Sequence, residues 1–78
     1  MKTTAQIAAG IFVAEMLKRN RLHDYVHFSE HRGTSSNIIC AECFKSPEFN
    51  YAIVTNEITL EEYRAAVLAE IEKEKQKL

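Results

Sequence analysis

From Ile7 to Ala14 the chain reads Ile-Ala-Ala-Gly-Ile-Phe-Val-Ala, with no charged or hydrogen-bonding side chain. No other stretch constrains the fold as strongly. Thr3 or Thr4 is placed to cap a helix that runs through this stretch to about Arg21. At about 3.6 residues per turn, Ile7, Ile11, Ala14 and Leu17 line one face, and Phe12 and Met16 another. Polar groups are few before Glu15. A helix apolar nearly all round must be buried on two sides. Either it is a central core helix wrapped by its own chain, or its second side lies against another subunit, which would make a homodimer. With 78 residues, the chain is close to the lower limit at which a core holds a fold unaided. Both arrangements stay open.

The run is too short to span a bilayer and gives way at once to Glu15. Lys2 is the sole basic group ahead of it, and no small-residue cleavage site follows, which argues against a secretory leader. The expectation is a cytoplasmic protein, with no membrane partner and with Cys40 and Cys43 reduced.

Downstream the pattern changes. Asp24-Tyr-Val-His-Phe-Ser29 is aromatic and β-branched and predicts a short strand. His31–Ser36 reads as a turn with Gly33 at positive φ, and Asn37–Cys40 as the partner strand of a small β-hairpin. Ser46-Pro47-Glu48 is a helix-start signal for a short helix to about Thr55, burying Phe49, Ala52 and Ile53. Tyr51–Thr55 also suits a third strand, but the cap favours the helix. Thr59-Leu-Glu-Glu62 is a capping box, with Ile58 and Tyr63 spaced as a hydrophobic staple. Leu60, Tyr63, Val67 and Ile71 continue the last helix, and 72–78 is a charged, solvated end. With only two glycines and one proline, helix should dominate. The expected fold is a single α+β domain over 1–78: long N-terminal helix, small β-hairpin, short helix and capped C-terminal helix.

Two clusters bear on chemistry. His23, His27 and His31 precede a Cys-x-x-Cys at Cys40 and Cys43, and two histidines with two thiolates can fill a tetrahedral zinc site. His27, His31, Cys40 and Cys43 are the candidate ligands, but an extended Tyr25–Ser29 would spread the histidines too far apart. Zinc is therefore not assigned, and no cofactor is expected. A redox role for the cysteines is opposed by Glu42 between them, since a nearby negative charge disfavours the thiolate. No glycine-rich phosphate loop or ordered Ser–His–carboxylate set is present, so the chain reads as non-enzymatic.

The second cluster is basic. Lys18, Arg19 and Arg21, with His23 and Arg32 nearby, could meet phosphates, although basic groups at a helix end commonly just complement its dipole. Residues 1–39 carry a net +2 and 40–78 a net −3. That falls short of a nucleic-acid footprint, so nucleic acid is not the expected partner. The expected partner-binding residues are Phe12, Val13, Met16, Lys18, Arg19 and Arg21.

Several segments resemble the small accessory proteins of temperate enterobacterial phages, of the phage filamentation type. The likeness rests on Met1-Lys-Thr-Thr-Ala-Gln6, on Phe28-Ser29 with Arg32-Gly33, on Lys45-Ser-Pro47, and on Asn56-Glu-Ile-Thr-Leu-Glu-Glu-Tyr63. It implies a protein that acts in the bacterial host cell by binding and inhibiting a host protein of division or replication. The alternative is a zinc-binding or dimeric nucleic-acid-binding regulatory module.

Overall fold

The computed structural model describes the backbone of residues 1–78 and the side chains of 1–45 and 49–78. Its elements run α1 (Thr4–Lys18), β1 (Val26–Arg32), β2 (Asn37–Cys43), β3 (Ser46–Thr55) and α2 (Leu60–Gln76). The three strands form one antiparallel sheet in the order β1-β2-β3. Both helices cover the same face, and the Cα envelope is only 16 Å across its thinnest axis, two layers deep.

The two helices begin alike. Thr3 accepts a hydrogen bond from the Gln6 backbone N–H while the Gln6 side chain accepts from Thr3 N–H; Thr59 and Glu62 repeat the exchange at α2. Ile58 and Tyr63, on either side of the second cap, are both buried, as a staple requires. The end of α1 differs from expectation. The helix stops at Lys18, not Arg21, because Asn20 takes a left-handed conformation with φ of 57°. Arg21 N–H then donates to Met16 O at 2.9 Å and Asn20 N–H to Leu17 O at 3.1 Å, which closes a Schellman motif.

The sheet corrects two further expectations. It is three strands, not a hairpin, because 46–55 is extended where a short helix is predicted. The reason is visible in the alternation. Phe49, Tyr51, Ile53 and Thr55 turn toward the helices while Asn50, Ala52 and Val54 face outward, the period-two pattern of a half-buried strand. A helix there would leave β2 without its second neighbour. The expected capping role of Ser46, Pro47 and Glu48 falls on side chains outside the described residues. Gly33 is also not at positive φ. Its hydrogen is needed for space, since a Cβ there would lie 2.6 Å from Ser36 O across the β1–β2 turn.

Between the layers, Phe12 stacks on Phe49 at 5.3 Å between ring centroids and approaches Tyr51, placing α1 over β3. Tyr63 meets Phe28 edge-on at 6.0 Å, placing α2 over β1. Ile39, Ala41 and Cys43 of the central strand are fully buried beneath both helices. Ala5, Ala8 and Ala9 of α1 and Ala66 of α2 are small enough for the two helices to approach closely. The charged 72–78 end continues as helix to Gln76, with Lys73 and Lys77 paired to Glu70 and Glu74 at 3.3 and 3.2 Å.

Candidate functional site

The helix α1 decides which of its two apolar faces is free. Its buried arc is Ala5, Ala8, Ala9, Phe12, Val13 and Met16. Phe12 and Met16 are wholly inaccessible and Val13 nearly so. These three expected partner-binding residues are therefore core residues, a correction that follows from the sheet and α2 occupying that arc. The opposite arc is left uncovered: Ile7, Ile11 and Leu17 are 53%, 47% and 41% exposed, with Ala14 exposed among them. At Gly10 an added Cβ would meet nothing within 4 Å. Sequence periodicity found both faces but took the buried one for the contact surface, because either set could have met the sheet.

The basic groups that end α1 are engaged within the chain. Glu15 pairs with the Arg19 guanidinium and with Lys18 at 3.3 Å, and these bonds, that to Arg19 first, hold its carboxyl below the usual carboxylate range. Arg19 also stands over the Phe49 ring at 4.5 Å, a cation–π contact that fixes it to the sheet. Arg21 faces Asp24 at 4.0 Å, too long for a hydrogen bond, and among the described residues the buried Oδ2 of Asp24 has no hydrogen-bond partner. Three cations and two carboxylates thus form a mixed, largely self-neutralised rim beside the apolar arc, not a free basic patch. Arg32 lies apart, in β1, paired with Glu30 at 3.4 Å.

The histidine and cysteine cluster does not converge. Residues three apart in a strand point to opposite faces, so Cys43 lies in the core while Cys40 stands on the open face opposite Ser29 and Ala52. His27 and His31 also take the open face, but four strand residues separate them by about 13 Å. His27 neighbours Glu42 and His31 neighbours Ile38. Among the described residues no three His, Cys, Asp or Glu side chains gather as a metal site would require. The Cys43 thiol is pushed up first by burial and then by the nearby Asp24 carboxylate, which makes it a poor nucleophile.

Two surfaces escaped the sequence reading. Tyr25 and Phe44, 69% and 71% exposed, meet edge-on at 6.4 Å where the chain enters β1 and turns after β2. Tyr25 lines a groove with Leu22, Val26 and Phe28 on one side and Leu68, Ile71, Arg64 and Lys75 of α2 on the other. The second is the open face of the sheet, where Ile38 and Val54 lie side by side at the end nearest the β1–β2 turn. Neither has a sequence signature, because each is assembled from segments distant along the chain. Among the described residues no helix is long and apolar enough to cross a membrane. Comparison with protein-family models, curated proteins and solved structures finds no match to this chain.

Proposed function

We propose that the chain is a small, non-enzymatic accessory protein that binds and inhibits a host protein, using the outer arc of α1 as its contact surface. One observation carries this reading: Ile7, Ile11, Ala14 and Leu17 form an apolar stripe on the outside of a helix whose inside is already buried. Leaving such half-exposed side chains in water forgoes roughly 1 kcal/mol for each large one that a partner would cover. The empty space over Gly10 supports a close-lying partner, since a mid-helix glycine costs about 0.5–1 kcal/mol and among the described residues no contact requires it. The Glu15, Lys18 and Arg19 rim supplies charges of both signs at the edge of the stripe, as in interfaces with an apolar centre and a polar border. The resemblance to phage filamentation proteins supplies the class of target, a host component of division or replication in the bacterial cytoplasm.

Affinity capture from a bacterial lysate tests this reading. The expected result is one stoichiometric protein partner that is lost when Ile7 and Ile11 are both changed to Glu. Retention of DNA at physiological salt, with no specific protein, would overturn it.

A further inference from the structure

Between α2 and the stretch that enters β1 lies a groove of about 330 Å³, with no residue of α1 among those lining it. Its floor is apolar and buried, formed by Leu22, Val26 and Ile71. Leu68 and Tyr25 line it too and remain 45% and 69% exposed. α2 brings a regular pattern to the groove: Arg64, Leu68, Ile71 and Lys75 recur at i, i+4, i+7 and i+11 on one face of the helix. At about 1.5 Å per residue the two cations stand roughly 16 Å apart along α2, with apolar side chains between them. Their pairing is also distinctive. Lys73 and Lys77 each form an ion pair with the glutamate three residues before, Glu70 and Glu74. Glu61 and Glu72 stand at that same spacing before Arg64 and Lys75, yet among the described residues neither cation has a carboxylate partner. Among the described residues the one carboxylate lining the groove is Asp24, whose buried Oδ2 faces Arg21 at 4.0 Å.

We infer that this groove binds an amphipathic helix of a partner protein, one with an acidic residue at each end of a short apolar stripe. The occupant follows from charge complementarity. Two unpaired cations bracket an apolar surface, so the fitting ligand carries two carboxylates that bracket apolar side chains. A helix meets this with a single face, anchored at the same i, i+4, i+7 and i+11 spacing that α2 displays. Its apolar side chains would cover Leu68, and Tyr25 at the rim is the kind of aromatic side chain that anchors interfaces. A small molecule with one negative charge would engage one end of the groove alone. A nucleic-acid backbone fits less well, because its phosphates call for a continuous track of cations, and residues 40–78 carry a net −3. The groove shares no residue with the outer arc of α1, so this inference does not rest on the partner proposed for that arc.

Fluorescence anisotropy with a fluorescein-labelled synthetic helix tests the site. The probe carries Glu at i and i+11, Leu at i+4 and i+7, and Ala and Gln elsewhere; a second peptide has Gln in place of both Glu. The wild-type chain should bind the Glu peptide saturably and the Gln peptide about fivefold more weakly. Arg64→Gln combined with Lys75→Gln changes only exposed positions, so far-ultraviolet circular dichroism should stay native. That variant should bind the Glu peptide about fivefold more weakly than the wild type does. It should also no longer distinguish the two peptides, because it lacks the charges that the carboxylates meet. Three results would each overturn the inference: no saturable binding by the wild type, a folded double variant that still prefers the Glu peptide, or tighter binding to a duplex oligonucleotide or phosphatidylserine vesicles than to the peptide. Capture of a host protein through Ile7 and Ile11 should be unchanged in the double variant, so the two readings fail separately.

Discussion

The two helices share a layer, a cap chemistry and a sheet, yet their outer faces have little in common. α2 turns Glu61, Arg64, Glu72, Lys73 and Lys75 to solvent, with Leu68 its one large exposed apolar side chain between the cap and Gln76. Between Ala5 and Ala14, α1 turns out Gln6, Ile7, Ile11 and Ala14, with half-buried Gly10 among them. The inner faces do the same work: Phe12 and Met16 on one helix, Tyr63, Val67 and Ile71 on the other. Folding therefore accounts for both inner faces and for the outer face of α2. It does not account for the outer face of α1, and on that apolar surface the proposed partner contact rests.

The largest expected effect separates the inner and outer arcs of α1. Phe12→Ala should cost about 3–5 kcal/mol, enough to leave so small a domain mostly unfolded. Ile11→Ala, one residue away, should change stability by roughly 0.5 kcal/mol or less. Urea titration of both variants checks the pair. Similar losses at the two positions would place Ile11 in the core and break the comparison.

Next in size are the caps. Thr3→Ala and Thr59→Ala each remove one side of a reciprocal capping box and should cost about 1 kcal/mol apiece. Equal shifts in thermal unfolding would show that the helices start with the same strength, which confines their difference to the outer surfaces.

The smallest effect has the opposite sign. Gly10→Ala places a methyl where the chain has open space and should stabilise the protein by about 0.5–1 kcal/mol. The same methyl should weaken the complex with a closely packed partner. A gain in melting temperature with unchanged partner affinity would show that Gly10 makes no close approach.

How far the sequence foretold this molecule depended on whether the signal was local. The α2 cap and staple lie within a few residues of one another, and they were legible in Thr59, Glu62, Ile58 and Tyr63. The α+β class and the β1–β2 pairing were legible for the same reason. The third strand was not, because Ser46-Pro47-Glu48 carries a local helix-start pattern while the benefit of an extended β3 comes from pairing with β2 and packing against Phe12. The turn at Gly33 was foreseen and its mechanism was not, since crowding against Ser36 depends on the strand register. At the candidate surface, the apolar run of α1 announced an excess of hydrophobic faces. Which face met the sheet is a tertiary choice, and it moved the exposed arc from Phe12, Val13 and Met16 to Ile7, Ile11 and Leu17. The histidines and cysteines looked clustered in the one-dimensional chain. Strand geometry put Cys40 and Cys43 on opposite faces.

Paired capture measurements on the two outer faces test the central claim most directly. One variant carries Ile7→Glu and Ile11→Glu on α1, the other Arg64→Glu and Glu72→Lys on α2. Both should fold and melt close to the wild type, since all four side chains are exposed. The α1 variant should lose the host protein from a bacterial lysate and the α2 variant should retain it. Retention by the α1 variant together with loss by the α2 variant would contradict the account.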